Sequence, residues 1–114
     1  MSNLIRTKQV GDILVIYIQP KRLTDDLDIH EVFTAVLQKI DEGNDRLILN
    51  FGTVEFLSSS ALGKMVSVNK RIKKESGSLA LCSIRPTIWK AFELTGLNKQ
   101  FQQFDDETEA LANI

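Results

Sequence analysis

Three hydroxyls stand in a row at Ser58-Ser59-Ser60, between the apolar pair Phe56-Leu57 and the segment Ala61-Leu62-Gly63. The pattern predicts a buried strand that turns into a helix at the serines. The first N–H groups of a helix lack intrahelical acceptors and the helix dipole is positive there, so a phosphate on one of these serines would be stabilised locally. Each phosphoserine would add about −1.5 to −2 charges near neutral pH. The same three residues also suit a purely structural use, with one serine capping the helix and the others filling a tight turn. The local pattern leaves both uses open.

Other chemistries find less support. Gly63-Lys64 is followed by Met65, and Ser58 stands five residues before Gly63, so no P-loop is present. No G-x-S-x-G occurs, and His30, the one histidine available as a general base, falls on the polar side of a predicted helix. One histidine, one cysteine and scattered carboxylates give no metal-ligand spacing, so neither metal nor cofactor is expected. Asp105-Asp106-Glu107 reads as acidic charge in the first turn of a last helix. Lys70, Arg71, Lys73 and Lys74 read as a solvated basic end of the second helix. The chain is therefore expected to act by binding and not as an enzyme.

The elements that would position the serines follow from hydrophobic periodicity. Ile13-Leu14-Val15-Ile16-Tyr17-Ile18 predicts a strand covered on both faces, and residues 3–9 predict an antiparallel partner across the Val10-Gly11-Asp12 turn. Over residues 25–42 the positions Ile29, Val32, Phe33, Val36, Leu37 and Ile40 form one helical stripe, with Thr24 or Asp25 as cap and Gly43 at the end. Arg46-Leu47-Ile48-Leu49-Asn50-Phe51 predicts a second buried strand, joined to the first by a parallel crossover. After the serines, Leu62, Met65, Val66, Asn69 and Ile72 trace a second helix, and residues 78–84 a further strand. Pro86 opens a third helix carrying Ile88, Trp89, Phe92 and Leu94, which Gly96 ends; residues 101–104 form a short strand before the last helix. This order predicts an α/β fold: one largely parallel sheet of four to five strands, with a mixed N-terminal strand and about four helices. On the second helix, Ala61, Lys64, Val68, Arg71 and Glu75 are expected to face away from the core as a surface for a partner.

Composition sets the outer bounds. A chain of 114 residues with 43% hydrophobic content suits one domain over residues 1–114. Fourteen basic residues against fifteen acidic ones leave no excess to neutralise a phosphate backbone, so nucleic acid is not an expected partner. Met1-Ser2-Asn3-Leu4-Ile5-Arg6 lacks the apolar stretch of a secretory leader, and no run approaches membrane-spanning length; a cytoplasmic protein without membrane insertion is expected. Cys82, the only cysteine, closes an apolar run and reads as a buried structural thiol.

With these residues in view, the chain resembles the STAS-domain anti-sigma-factor antagonists, whose D-S-S-G-L-G signature follows a strand and opens a helix. Ser58-Ser59-Ser60-Ala61-Leu62-Gly63 occupies that place, and Phe92-Glu93-Leu94-Thr95-Gly96-Leu97 matches the family's F-x-x-[ST]-G-L segment. The resemblance spans nearly the whole chain. It implies Ser60 as phosphate acceptor, with Ser59 and Ser58 as alternatives, and a partner surface at Thr24, Ser58, Ser59, Ser60, Ala61, Lys64 and Val68. It also implies a partner kinase that is itself the anti-sigma factor, and a phosphatase that reverses the modification. The unphosphorylated form would sequester that kinase and release a sigma factor for transcription; the phosphorylated form would let go. The sequence departs from the pattern where Ser58 replaces the signature aspartate, Ala61 replaces the glycine, and Lys21-Arg22-Leu23-Thr24 stands for G-x-L-D. A constitutive STAS scaffold in a signalling or lipid-transport assembly is the alternative, and a small-ligand or nucleotide site at the same helix start a third.

Overall fold

The computed structural model describes residues 3–114, so Met1 and Ser2 of the segment read for a leader lie outside it. Its centre is a five-stranded sheet in the order β1-β2-β4-β6-β7. β1 (Ile5–Val10) and β2 (Ile13–Ile18) form the antiparallel hairpin, with register running from Ile5↔Ile18 to Val10↔Ile13. Gly11 takes φ +60° in the two-residue turn, a conformation that costs glycine little. β4 (Arg46–Asn50), β6 (Ser78–Cys82) and β7 (Gln102–Phe104) add in parallel.

The helices are α1 (Asp26–Asp41), α2 (Ser59–Lys74), α3 (Pro86–Leu94) and α4 (Glu107–Asn113). The strands' period of two assigns their side chains to two unequal cores. Leu14, Ile16, Ile18, Leu47, Leu49, Leu79 and Leu81 pack against α1, α2 and α3, while Ile13, Val15, Ile48, Ala80 and Cys82 meet Ala110 of α4. A one-residue slip of β2 would exchange these sets, so burial on both faces fixes its register. Each wholly buried leucine or isoleucine contributes about 1.5–3 kcal/mol, which outweighs local preferences at these positions. Burial also pushes the Cys82 thiol up to about 11, in keeping with a structural role.

Three features differ from the sequence expectation. Arg22 and Leu23 form β3, which pairs in parallel with β5 (Phe56–Leu57) as a separate two-stranded ribbon. The buried arc of α2 is also wider than expected: Ala61 and Val68 are wholly buried, and Val66 is only half-buried. The cause is double packing, because α2 lies against both the sheet and α1, so residues flanked by Lys64 and Arg71 still turn inward. Leu94, at the last position of α3, is 79% exposed instead of sharing the stripe of Ile88 and Phe92.

Candidate functional site

The β3–β5 ribbon sets the start of α2 beside the start of α1. Main-chain bonds do this: the N–H groups of Glu55 and Phe56 donate to the Lys21 carbonyl at 2.7 and 3.0 Å, and that of Ser58 donates to Leu23 at 3.2 Å. Because Leu23 pairs with Leu57, the next residues, Thr24 and Ser58, leave the ribbon side by side. Each chain then enters a helix after one turn or less, α1 capped by Asp25 and α2 by Ser58.

The three serines divide between two uses. Ser58 is the cap: its backbone is extended at φ −85° and its Oγ accepts the Ala61 N–H at 3.4 Å. Its carbonyl also takes the N–H groups of Ala61 and Leu62, at 3.1 and 3.3 Å. Ser59 and Ser60 follow at the first two helical positions with exposed side chains. No acidic residue lies in this first turn, whereas α1 begins with Asp26 and Asp28. Anionic charge is thus confined to one of the two adjacent helix starts, and the positive end of the α2 dipole is not neutralised by its own side chains.

Of the other expected contact residues, Thr24 and Lys64 are exposed, and Gly63 beside them opens onto empty space. Ala61 and Val68 are corrected: both are wholly enclosed in the main core and present no side-chain surface. Arg71 and Glu75 do lie outward, but Arg71 is held by ion pairs to Asp41 and Glu75, which raise its basicity further. Two exposed apolar side chains escaped the sequence reading of the site. Leu27, in the first turn of α1, is 80% exposed, and Phe56 of β5 is 48% exposed with the Arg22 guanidinium 4.4 Å from its ring centroid. Periodicity gave no sign of the Arg22–Phe56 stack, since it depends on pairing between two strands of two residues each.

His30 is exposed, as expected from its place on the polar side of α1. Among the described residues no three His, Cys, Asp or Glu side chains gather as a metal site, and no helix is long and apolar enough to cross a membrane. The arrangement presents exposed serine hydroxyls and a mixed polar and apolar surface on two adjoining helix starts.

Comparison with known proteins agrees with this architecture. The Anti-sigma F factor antagonist of Paenibacillus polymyxa is 29% identical over 98 residues, covering 82% of this chain and 83% of that protein. A Thermotoga maritima structure superposes with a TM-score of 0.87 at 23% identity, over 98% of this chain and 95% of that one. SpoIIAA of Bacillus in its phosphorylated form gives a TM-score of 0.72 at 22% identity, over 95% and 96% of the two chains. Its unphosphorylated form gives 0.78 at 23%, over 94% and 92%. The STAS domain family model matches residues 5–110, and this chain belongs to that family.

Proposed function

We propose that this chain is a single-domain antagonist of an anti-sigma factor, switched by phosphorylation of Ser60. The observation that carries the reading is the division of labour among the serines: Ser58 caps α2, which leaves the Ser60 hydroxyl exposed in the first turn. The name of the Paenibacillus polymyxa relative supports the role, and the existence of SpoIIAA in phosphorylated and unphosphorylated forms supports a switch on this fold. The partner is an anti-sigma serine kinase, which docks on Thr24, Ser59, Ser60 and Lys64 together with the exposed Leu27 and Phe56. In the kinase, Ser60 Oγ attacks the γ-phosphorus of ATP, the bond to the β,γ-bridging oxygen breaks so that ADP leaves, and the hydroxyl proton passes to a base of the kinase. The resulting dianion is tolerated by the α2 dipole but not by an interface that must shed its water, so the complex separates.

The test is copurification with the native partner, followed by phosphate mapping of bound and free pools. Phosphate on Ser60 in the free pool alone, and loss of the complex in Ser60→Asp, support the switch. Equal affinities of Ser60→Ala and Ser60→Asp, with no phosphate in either pool, would sink it. Ser58 in place of the signature aspartate favours a second reading, a constitutive STAS scaffold, which predicts that latter outcome.

A further inference from the structure

We infer that the free edge of β1 is a docking site for an extended acidic peptide, which joins the sheet as an additional strand. β1 is the terminal strand of the sheet order, and Arg6, Thr7, Lys8 and Gln9 are all exposed. The phase of its hydrogen bonds follows from two observations. Val10 and Ile13 close the two-residue turn, and the Gln19 N–H donates to the Leu4 carbonyl at 2.9 Å at the other end. In an antiparallel pair, hydrogen-bonded and non-bonded pairs alternate. Leu4, Arg6, Lys8 and Val10 therefore address β2, and the main-chain groups of Ile5, Thr7 and Gln9 point outward.

The side chains alternate as well. Arg6 and Lys8 stand opposite Tyr17 and Val15, on the face that carries α4, where Lys8 reaches Glu107 at 3.5 Å. Ile5 and Thr7 turn toward α1. A hollow flanks the strand on each face: one of about 550 Å³ lined by Arg6, Lys8, Tyr17, Gln19 and Thr53 among others, and one of about 630 Å³ that includes Ile5, Ala35 and Gln38. An added strand needs such recesses for side chains that alternate above and below it.

Charge selects the occupant. Among the described residues Arg6 has no ion-pair partner, and the Lys8 side chain remains 58% exposed despite Glu107. A second copy pairing edge to edge would set Arg6 and Lys8 against the same cations, and like charges directly opposite are destabilising. A peptide with carboxylates at alternate positions pairs with both cations. Its intervening residues, small or apolar, cover Ile5 and Ala35.

The test uses the full chain labelled for amide NMR and a capped heptapeptide of alternating Glu and Val. The expected result is slowed exchange of the Ile5, Thr7 and Gln9 amides, with binding lost in Thr7→Pro, which removes an outward N–H and spares the ladder to β2. Arg6→Glu combined with Lys8→Glu weakens binding about tenfold or more, and a peptide of alternating Lys and Val does not bind. No change in the β1 amides at millimolar peptide overturns the proposal, as does the same protection appearing with protein concentration alone, which would indicate a second copy. Should Thr7→Pro fail to fold, unchanged affinity in the charge-reversed pair overturns it independently.

Discussion

Replacing the serines one at a time separates structure from function at the start of α2. In Ser58→Ala the Ala61 N–H loses Oγ, but the bond is 3.4 Å long and the Ser58 carbonyl, 3.1 Å away, already shares that donor. The loss therefore falls at the lower end of capping effects, about 0.5–1 kcal/mol. Ser60→Ala has the opposite sign. The exposed hydroxyl leaves no cap behind, and alanine's helix preference stabilises the first turn by roughly 0.5 kcal/mol. The two variants should thus differ by about 1–1.5 kcal/mol, or roughly 4–6 °C in Tm for a chain of this size. Urea unfolding followed through Trp89, the only tryptophan and stacked on Phe92 at 5.1 Å, measures both. If Ser60→Ala is destabilised as much as Ser58→Ala, the Ser60 hydroxyl holds the turn and the division of labour is wrong. Ser60→Asp gains about 0.3–1 kcal/mol from the dipole, so weakened partner binding in that variant could not be ascribed to unfolding.

Further outcomes follow from packing and titration. Val68→Ala removes two methyl groups from a fully enclosed site and should cost about 2–3 kcal/mol in urea unfolding, whereas exposed Lys64→Ala should change little. Gly77→Ala should cost about 1–3 kcal/mol, because its Cβ would overlap the Asp45 carbonyl oxygen, which must stay in place to accept the Ser78 N–H at 2.8 Å. Tyr17, the only tyrosine, donates to Glu107 at 2.7 Å, and that bond pushes its ionisation up to about 12. A raised folded value means that this contribution to stability is complete below the unfolded value near 10 and is lost as pH climbs to about 12. Tyrosinate absorbance should show the high midpoint in the folded chain and a lower one in Glu107→Gln; an unchanged midpoint would refute the assigned cause.

Much of the fold was legible in the sequence because its elements are long enough to show a period. β2 and α1 bury most of the residues that their patterns mark, with Tyr17 and Leu37 only half-buried, and Pro86 and Gly96 bound α3 as expected. What escaped has physical reasons. Two-residue strands carry no period, so the β3–β5 ribbon, and with it the pairing of Thr24 with Ser58, arises only from long-range main-chain bonds. The face of α2 departs from its single stripe because that pattern suits one packing partner, whereas α2 has two, the sheet and α1, which turn Ala61 and Val68 inward. The serines were visible as a group, but their separate uses were not: which of three successive hydroxyls becomes the cap depends on where Leu23 anchors the turn.

That anchoring is carried by main-chain atoms: Lys21 and Leu23 hold Glu55, Phe56 and Ser58 through carbonyl and N–H groups alone. Such a frame does not depend on the identity of the side chains that decorate it. Mutation can therefore rewrite exposed Thr24, Leu27 or Lys64 without loosening the platform on which they stand. In a cell with several duplicated copies of this domain, each copy can drift toward its own partner and become insulated from the others, with one inherited chassis and many private dialects.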